Sequence, residues 1–271
     1  MRIITRNRRN LSALIIGAVL ILATGILIIG RLREEKLPTL SQYSYEVVNV
    51  YPHDVEAFTE GLVYDVGYLY EGTGLYGQST LRRVELKTGK VTQEDILPSD
   101  DFGEGVTIFK DKIVQLTWLQ HKGFVYDKYT LQLLRQFSYS TEGWGLACNG
   151  THLIMSDGTA SLYFLDPQTF EVVRRVQVSD VNPVTGLNEL EYIKGEVYAN
   201  IWHDRRIAII NPESGKVRGW IDLSHITDYD RLDPENVLNG IAYNAEDDLI
   251  YVTGKRWPQI FELRLIPLRP T

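Results

Sequence analysis

A single cysteine, Cys148, in 271 residues leaves no internal disulfide open to this chain, so its fold must stand on its core alone. Helical periodicity is scarce too: beyond residue 42 almost no stretch repeats apolar residues at the spacing of an amphipathic helix. The five histidines stand in no H-x-H or H-E-x-x-H spacing, which speaks against a catalytic zinc. Positive charge is thin. Residues 1–36 hold seven Lys/Arg and two Asp/Glu, and the remainder carries 21 basic against 33 acidic residues, a net charge near −12. Such a surface argues against nucleic acid or anionic lipid as partner and suits a substrate with a positive end. The hydrophobic fraction, 44%, is ordinary for a globular protein with a full core.

One long uncharged run is present at the N-terminus. Residues 11–30 carry no charge and follow Arg2, Arg6, Arg8 and Arg9, a length and flank that fit a membrane-spanning helix. No convincing small-x-small cleavage site follows, so an uncleaved signal anchor is favoured over a cleaved, secreted form. The sequence therefore divides into a cytoplasmic basic segment (1–10), a transmembrane anchor (11–30), a linker (31–42) and an extracytoplasmic domain (43–271), periplasmic or extracellular and expected to be a monomer. Asn149-Gly-Thr is a glycosylation sequon only in a host that glycosylates exported proteins.

That domain reads as all-β. Segments such as "KIVQLTWL", "GEVYANIW" and "LIYVTGK" alternate over short lengths and are punctuated by Gly, Asp, Asn and Pro every eight to twelve residues. A repeat is laid over this pattern. Units open at Phe58, Phe102, Glu142, Leu187 and Leu238, spaced 44, 40, 45 and 51 residues apart, each with three or four short strands. A period near 44 predicts the blades of a β-propeller, here five of them. The last unit stops after its third strand, so residues 43–50 are expected to supply its outer strand and close the ring, leaving no exposed edge.

Blade openings line the axis of a propeller, which brings "FTEG", "FGEG", "GWGL", "NELE" and "LNGI" to one place. Trp118 follows Glu104 by fourteen residues and Trp202 follows Asn188 by fourteen, while Lys255 follows Asn239 by sixteen; a hairpin of two six-residue strands sets such positions opposite one another. One channel face then carries Phe58, Glu60, Phe102, Glu104, Trp118, Trp144, Asn188, Trp202, Asn239 and Lys255. Aromatic walls with a few convergent polar groups are the usual make-up of a ligand site. A carboxyl there loses hydration and gains proton affinity, which fits it to exchange protons near neutral pH.

These residues in this order resemble the plant-type and bacterial glutaminyl-peptide cyclotransferases, or glutaminyl cyclases. The resemblance runs from "HDVEAFTEGLVYD" through "FGEGVT", "LTWL", "EGWGL", "LNELEY", "NIW" and "LDPENVLNGIAYN" to "VTGKRWPQIFEL". It implies a five-bladed propeller that converts an N-terminal glutamine of peptides and proteins to pyroglutamate, releasing ammonia, with no metal or other cofactor. It further implies that Glu104 is the essential glutamate, that Phe58, Phe102, Trp118, Trp144 and Trp202 form the pocket, and that Asn188 and Lys255 contact substrate. Glu60 is a departure, because the family usually reads "FTQGL". It could hold the substrate's ammonium or couple electrostatically to Glu104.

On this reading Glu104 takes a proton from the attacking amine and delivers one to the departing nitrogen, while Lys255 or Asn188 faces the developing oxyanion. Two other functions stay open at this point: a catalytically inactive propeller that binds peptide N-termini, and a metal-dependent propeller lactonase using carboxylates near the axis. Each residue also has a plainer reading. Tryptophans pack propeller cores, asparagines satisfy turns, and a lysine can lie over aromatic surface. Residues 229–236, "YDRLDPEN", lack the spacing and glycine of a calcium loop and read as a solvated loop.

Overall fold

The computed structural model describes residues 41–229 and 233–268. The basic segment, the expected span at 11–30, nearly all of the linker and positions 230–232 of the "YDRLDPEN" loop lie outside the described residues. Among the described residues no helix is long and apolar enough to cross a membrane.

The regular structure is β throughout. After strand β1 (Ser41–Pro52) come β2 (Thr59–Asp65), β3 (Tyr68–Thr73), β4 (Thr80–Glu85) and β5 (Lys90–Ile96), hydrogen-bonded in sequence order as one four-stranded antiparallel sheet. The second sheet repeats this with β6 (Gly103–Phe109), β7 (Lys112–Thr117), β8 (Lys122–Asp127) and β9 (Leu133–Ser138). The third has β10 (Leu146–Cys148), β11 (Leu153–Met155), β12 (Ser161–Leu165) and β13 (Val172–Gln177). β14 (Leu187–Ile193), β15 (Glu196–Ile201), β16 (Arg206–Ile210) and β17 (Val217–Asp222) form the fourth unit. β18 (Leu238–Asn244), β19 (Leu249–Gly254) and β20 (Gln259–Pro267) form the fifth, and β1 completes it by pairing antiparallel with β20. The start of β1 also runs parallel to β17, Tyr43 opposite Ile221, which joins the fourth and fifth units into one eight-stranded sheet.

Burial explains why the units assemble. Outer strands alternate or lie open, as in the exposed–intermediate pattern of β5, whereas β3, β7 and β15 are buried almost end to end on both faces. Each pair of neighbouring units encloses its own apolar cluster. Val63, Tyr70 and Leu81 meet Val106, Ile113 and Phe124; Leu116 and Val125 meet Leu153 and Met155; Ile154 and Phe164 meet Leu190 and Ala199. Ile207 and Ile209 meet Ile250 and Val252, and Leu62 and Leu69 meet Ala242 and Tyr251, which returns the chain of contacts from the fifth unit to the first. Each buried Val, Leu or Ile contributes about 1.5–3 kcal/mol, so these clusters hold a β-propeller-like ring without any cross-link.

A buried polar seam lies where the ring joins. The Arg82 guanidinium donates to Glu71 Oε2 at 2.9 Å and to Asp54 at 2.8 Å, while Thr59 Oγ donates to Glu71 Oε1 at 2.7 Å. His53 places Nε2 2.8 Å from Glu71 Oε1 and Nδ1 2.6 Å from the Trp257 carbonyl. Both ring nitrogens therefore face acceptors, the arrangement of an imidazolium. Burial lowers the proton affinity of His53, but the Glu71 charge and hydrogen bond outweigh it and the net shift is upward. Burial likewise works against ionised Glu71, and Arg82 and His53 more than reverse it, holding this carboxyl well below the usual range.

Candidate active site

Four of the five inner strands carry a register irregularity at their first turn: between Thr59 and Gly61, Gly103 and Val106, Leu187 and Leu190, and Leu238 and Ile241. A bulge leaves a residue outside the ladder and re-aims its side chain. The first residue inside each of these irregularities is Glu60, Glu104, Asn188 and Asn239 in turn, followed in the last three by Gly105, Glu189 and Gly240. Glycines make the arrangement possible around Glu104. A Cβ on Gly103 would lie 2.7 Å from the Thr73 carbonyl oxygen and one on Gly105 2.5 Å from that of Trp144, so neighbouring units close on both sides of a single side chain. The bulges also shift the pairing expected from sequence. The Trp118 backbone N–H bonds to the Phe102 carbonyl rather than lying opposite Glu104, and Trp202 N–H bonds to Gly186. Aromatic and polar side chains still reach one place.

That place is a cavity of about 270 Å³ lined by Phe58, Glu60, Leu75, Phe102, Glu104, Trp118, Trp144, Asn188, Trp202, Glu235 and Lys255. Nine of the ten side chains placed on the channel face from sequence are among them, and Asn239 is not. Phe102 stands at the centre of one wall, edge-on to Phe58 at 6.3 Å and to Trp118 at 5.6 Å. Trp144 and Trp202 meet edge to face at 5.7 Å on another, Trp202 remaining 44% exposed at the rim.

Lys255 and Glu60 form a buried pair, Nζ 2.6 Å from Oε1, and the ammonium lies 4.4 Å over the Phe58 ring. Asn239, expected on the cavity face, sits behind Glu60 and donates its amide to Glu60 Oε2 at 3.1 Å and to the Thr59 carbonyl at 2.9 Å. Glu60 is therefore occupied by this chain's own cation. Burial raises its proton affinity, Lys255 and Asn239 lower it, and the net direction is upward.

Glu104 differs in kind. It is 5% exposed, and among the described residues no group hydrogen-bonds its carboxyl. Burial raises its proton affinity first, the Glu60 charge adds to that, Lys255 opposes, and the carboxyl ends well above the usual range. Beside it, Asn188 lines the cavity and carries a buried Oδ1 that has no hydrogen-bond partner among the described residues. A buried carboxyl of raised proton affinity, an acceptor without a partner among the described residues and an ammonium with N–H bonds to spare are groups that can together move protons on a small polar group held between aromatic faces.

Three contributors escaped the sequence reading. Leu75 and Glu235 line the cavity, and Glu142 stands behind it, its Oε2 accepting from Trp118 Nε1 at 2.8 Å and Trp144 Nε1 at 2.9 Å. Glu142 had a signal, since "TEGWG" repeats the Glu-Gly of "FTEG" and "FGEG" at a unit opening. Glu235 lay in a stretch that reads as solvated loop, and Leu75 follows β3 with nothing to mark it. Glu189, near the axis, accepts the backbone N–H groups of Leu62 and Ile241 and lines no part of the cavity.

Fold and cavity define a class of protein, a β-propeller-like ring with one aromatic-walled pocket built around buried carboxyls. Comparison with known proteins narrows the class. The family model described as glutamine cyclotransferase matches residues 19–265. A glutaminyl-peptide cyclotransferase of Arabidopsis thaliana is 42% identical over 229 residues, which span 81% of this chain and 71% of that protein. The crystal structure of Myxococcus xanthus glutaminyl cyclase superposes with a TM-score of 0.80 at 37% identity, covering 85% of this chain and all of that one. The chain belongs to the glutamine cyclotransferase family and is an enzyme of that kind.

Proposed function

We propose that this chain is a five-bladed propeller enzyme that converts N-terminal glutamine of peptides and proteins to pyroglutamate without a metal, using Glu104 as its one proton carrier. The observation that carries this is the state of Glu104: a buried carboxyl of raised proton affinity with no hydrogen-bond partner among the described residues, in a cavity walled by Phe58, Phe102, Trp118, Trp144 and Trp202.

The reaction joins the substrate's α-nitrogen to its side-chain amide carbon and breaks the bond from that carbon to the amide nitrogen, which leaves as ammonia. One proton must leave the attacking amine and one must reach the departing nitrogen. A protonated Glu104 facing a neutral amine and an ionised Glu104 facing an ammonium hold the same number of protons, so a single carboxyl serves as base and then acid in one cycle. The unpartnered Asn188 Oδ1 accepts an N–H of the amine and orients its lone pair toward the amide carbon. Lys255, tied to Glu60 by one N–H, has others to offer the oxygen that turns negative during ring closure. Bending an extended glutamine into a five-membered ring is left to the shape of the aromatic walls, whose edge-to-face contacts fix their angles.

The uncharged run at residues 11–30 behind four arginines supports the further reading that the catalytic domain is tethered to a membrane and faces outward. Chemistry is tested by ammonia release from a peptide beginning with glutamine, with and without EDTA. Release that resists the chelator and falls by about a thousandfold or more in Glu104→Gln is expected. A folded wild-type protein that binds such peptides without turnover would instead make this an inactive propeller for peptide N-termini.

A further inference from the structure

Glu142 lines no part of the cavity, yet two of the cavity's walls end on it. A single carboxyl oxygen accepts the indole N–H of Trp118, which follows β7 of the second unit, and that of Trp144, which precedes β10 of the third. We infer that Glu142 is a positioning residue: by holding both indoles at once it sets the width and angle of the slot that grips the glutamine side chain. The inference rests on the proposed cyclase reading for its kinetic part and on geometry alone for the rest.

The platform under Glu142 is built to hold still. Tyr139 takes the Thr117 backbone N–H on its hydroxyl at 2.9 Å and donates that hydroxyl to the Thr117 carbonyl, while Gly143 N–H donates to the Trp118 carbonyl at 3.2 Å. The segment 139–143 is thus stitched to the strand end that bears Trp118, on both sides of Glu142. There is no slack for a larger residue: a Cβ on Gly143 would stand 2.3 Å from the Tyr139 hydroxyl and 2.7 Å from the Thr117 carbonyl oxygen. On the far side, Trp144 rests so close to Gly158 that a Cβ there would come within 2.7 Å of Cζ2 of the indole.

An indole has one donor and two rotatable bonds, so its angle follows its acceptor. Hydrogen bonds to a carboxylate are stronger than those to neutral oxygens, and a half-buried N–H that loses its acceptor turns to find another. The consequence extends past two rings. Trp118 packs edge-on against Phe102 at 5.6 Å, and Trp144 against Trp202 at 5.7 Å, so the angle fixed by Glu142 passes to the aromatic side chains flanking Glu104 and Asn188.

The experiment compares the full chain with Glu142→Ala and Glu142→Gln, reading the indole N–H resonances by NMR and the kinetics of ammonia release from a glutaminyl peptide. The protein has five tryptophans, and Trp118→Phe and Trp144→Phe identify the two resonances concerned. In Glu142→Ala those two should move most, Trp202 should follow by less through its contact with Trp144, Trp220 and Trp257 should stay, KM should rise by about tenfold or more, and kcat should fall less. Glu142→Gln keeps an oxygen acceptor and should return both resonances and KM most of the way. Unmoved indoles in Glu142→Ala would overturn the inference, as would equal losses in the two variants. If the wild type releases no ammonia, the cyclase reading fails by itself. Peptide affinity, followed by tryptophan fluorescence, then takes the place of KM, and an unchanged affinity in Glu142→Ala would again refute the clamp.

Discussion

Two buried carboxyls on neighbouring strands of this ring have been driven in opposite directions. Glu71, in the polar seam, is 1% exposed and takes hydrogen bonds from His53, Thr59 and Arg82, and its proton affinity is held far below normal. Glu104, in the cavity, is 5% exposed and takes none from the described residues, and its proton affinity is well above normal. Burial presses on both alike. Partners decide the outcome, because a buried carboxyl keeps its charge only where cations and donors replace the water it lost. Glu71 is spent on structure and Glu104 is the carboxyl proposed to carry the chemistry, while Glu60, tied to Lys255 and Asn239, stands between them.

The same substitution at the two extremes should therefore change stability with opposite signs. Glu71→Gln strands Arg82 and His53 inside the seam and should cost about 3–5 kcal/mol near neutral pH. The depressed affinity of Glu71 means that its contribution is complete above the unfolded pKa, near 4.3, and is lost as pH falls below that value. Glu104 works the other way. Its folded affinity is raised, so stability declines as pH climbs from the unfolded pKa toward the folded one, and Glu104→Gln should stabilise the protein there by about 1.4 kcal/mol per pKa unit of the rise. Denaturant melts of both variants across pH check this. Equal destabilisation by the two substitutions would erase the distinction.

A smaller effect is expected at the intermediate carboxyl. Glu60 adds to the proton affinity of Glu104 and occupies Lys255. Glu60→Gln should free the ammonium and lower the affinity of Glu104, moving the corresponding limb of the kcat/KM profile to lower pH while the aromatic slot stays intact. A profile that does not move would show that the two carboxyls act independently.

Much of this was legible in the sequence because blades repeat. Unit openings at Phe58, Phe102, Leu187 and Leu238 fall within a residue of the first strands observed, and β1 pairs with β20 as the missing outer strand. The third unit begins later than expected, at Leu146, because "EGWG" is a packed loop rather than a strand. What stayed hidden depends on side-chain direction. A bulge at Glu104 shows in sequence only as a pair of glycines, and its effect on register, Trp118 against Phe102, follows from backbone hydrogen bonds. Nor could spacing reveal that Lys255 belongs to Glu60, a partner 195 residues away, or that Glu142 joins two indoles.

The central claim, that Glu104 carries a proton in the resting enzyme, is tested most directly by the infrared difference spectrum of wild type minus Glu104→Gln near neutral pH. The account predicts a carbonyl stretch of a protonated carboxyl, absent from the variant and retained in Glu60→Gln. A difference spectrum showing only carboxylate bands would place an ionised Glu104 in the cavity and contradict it.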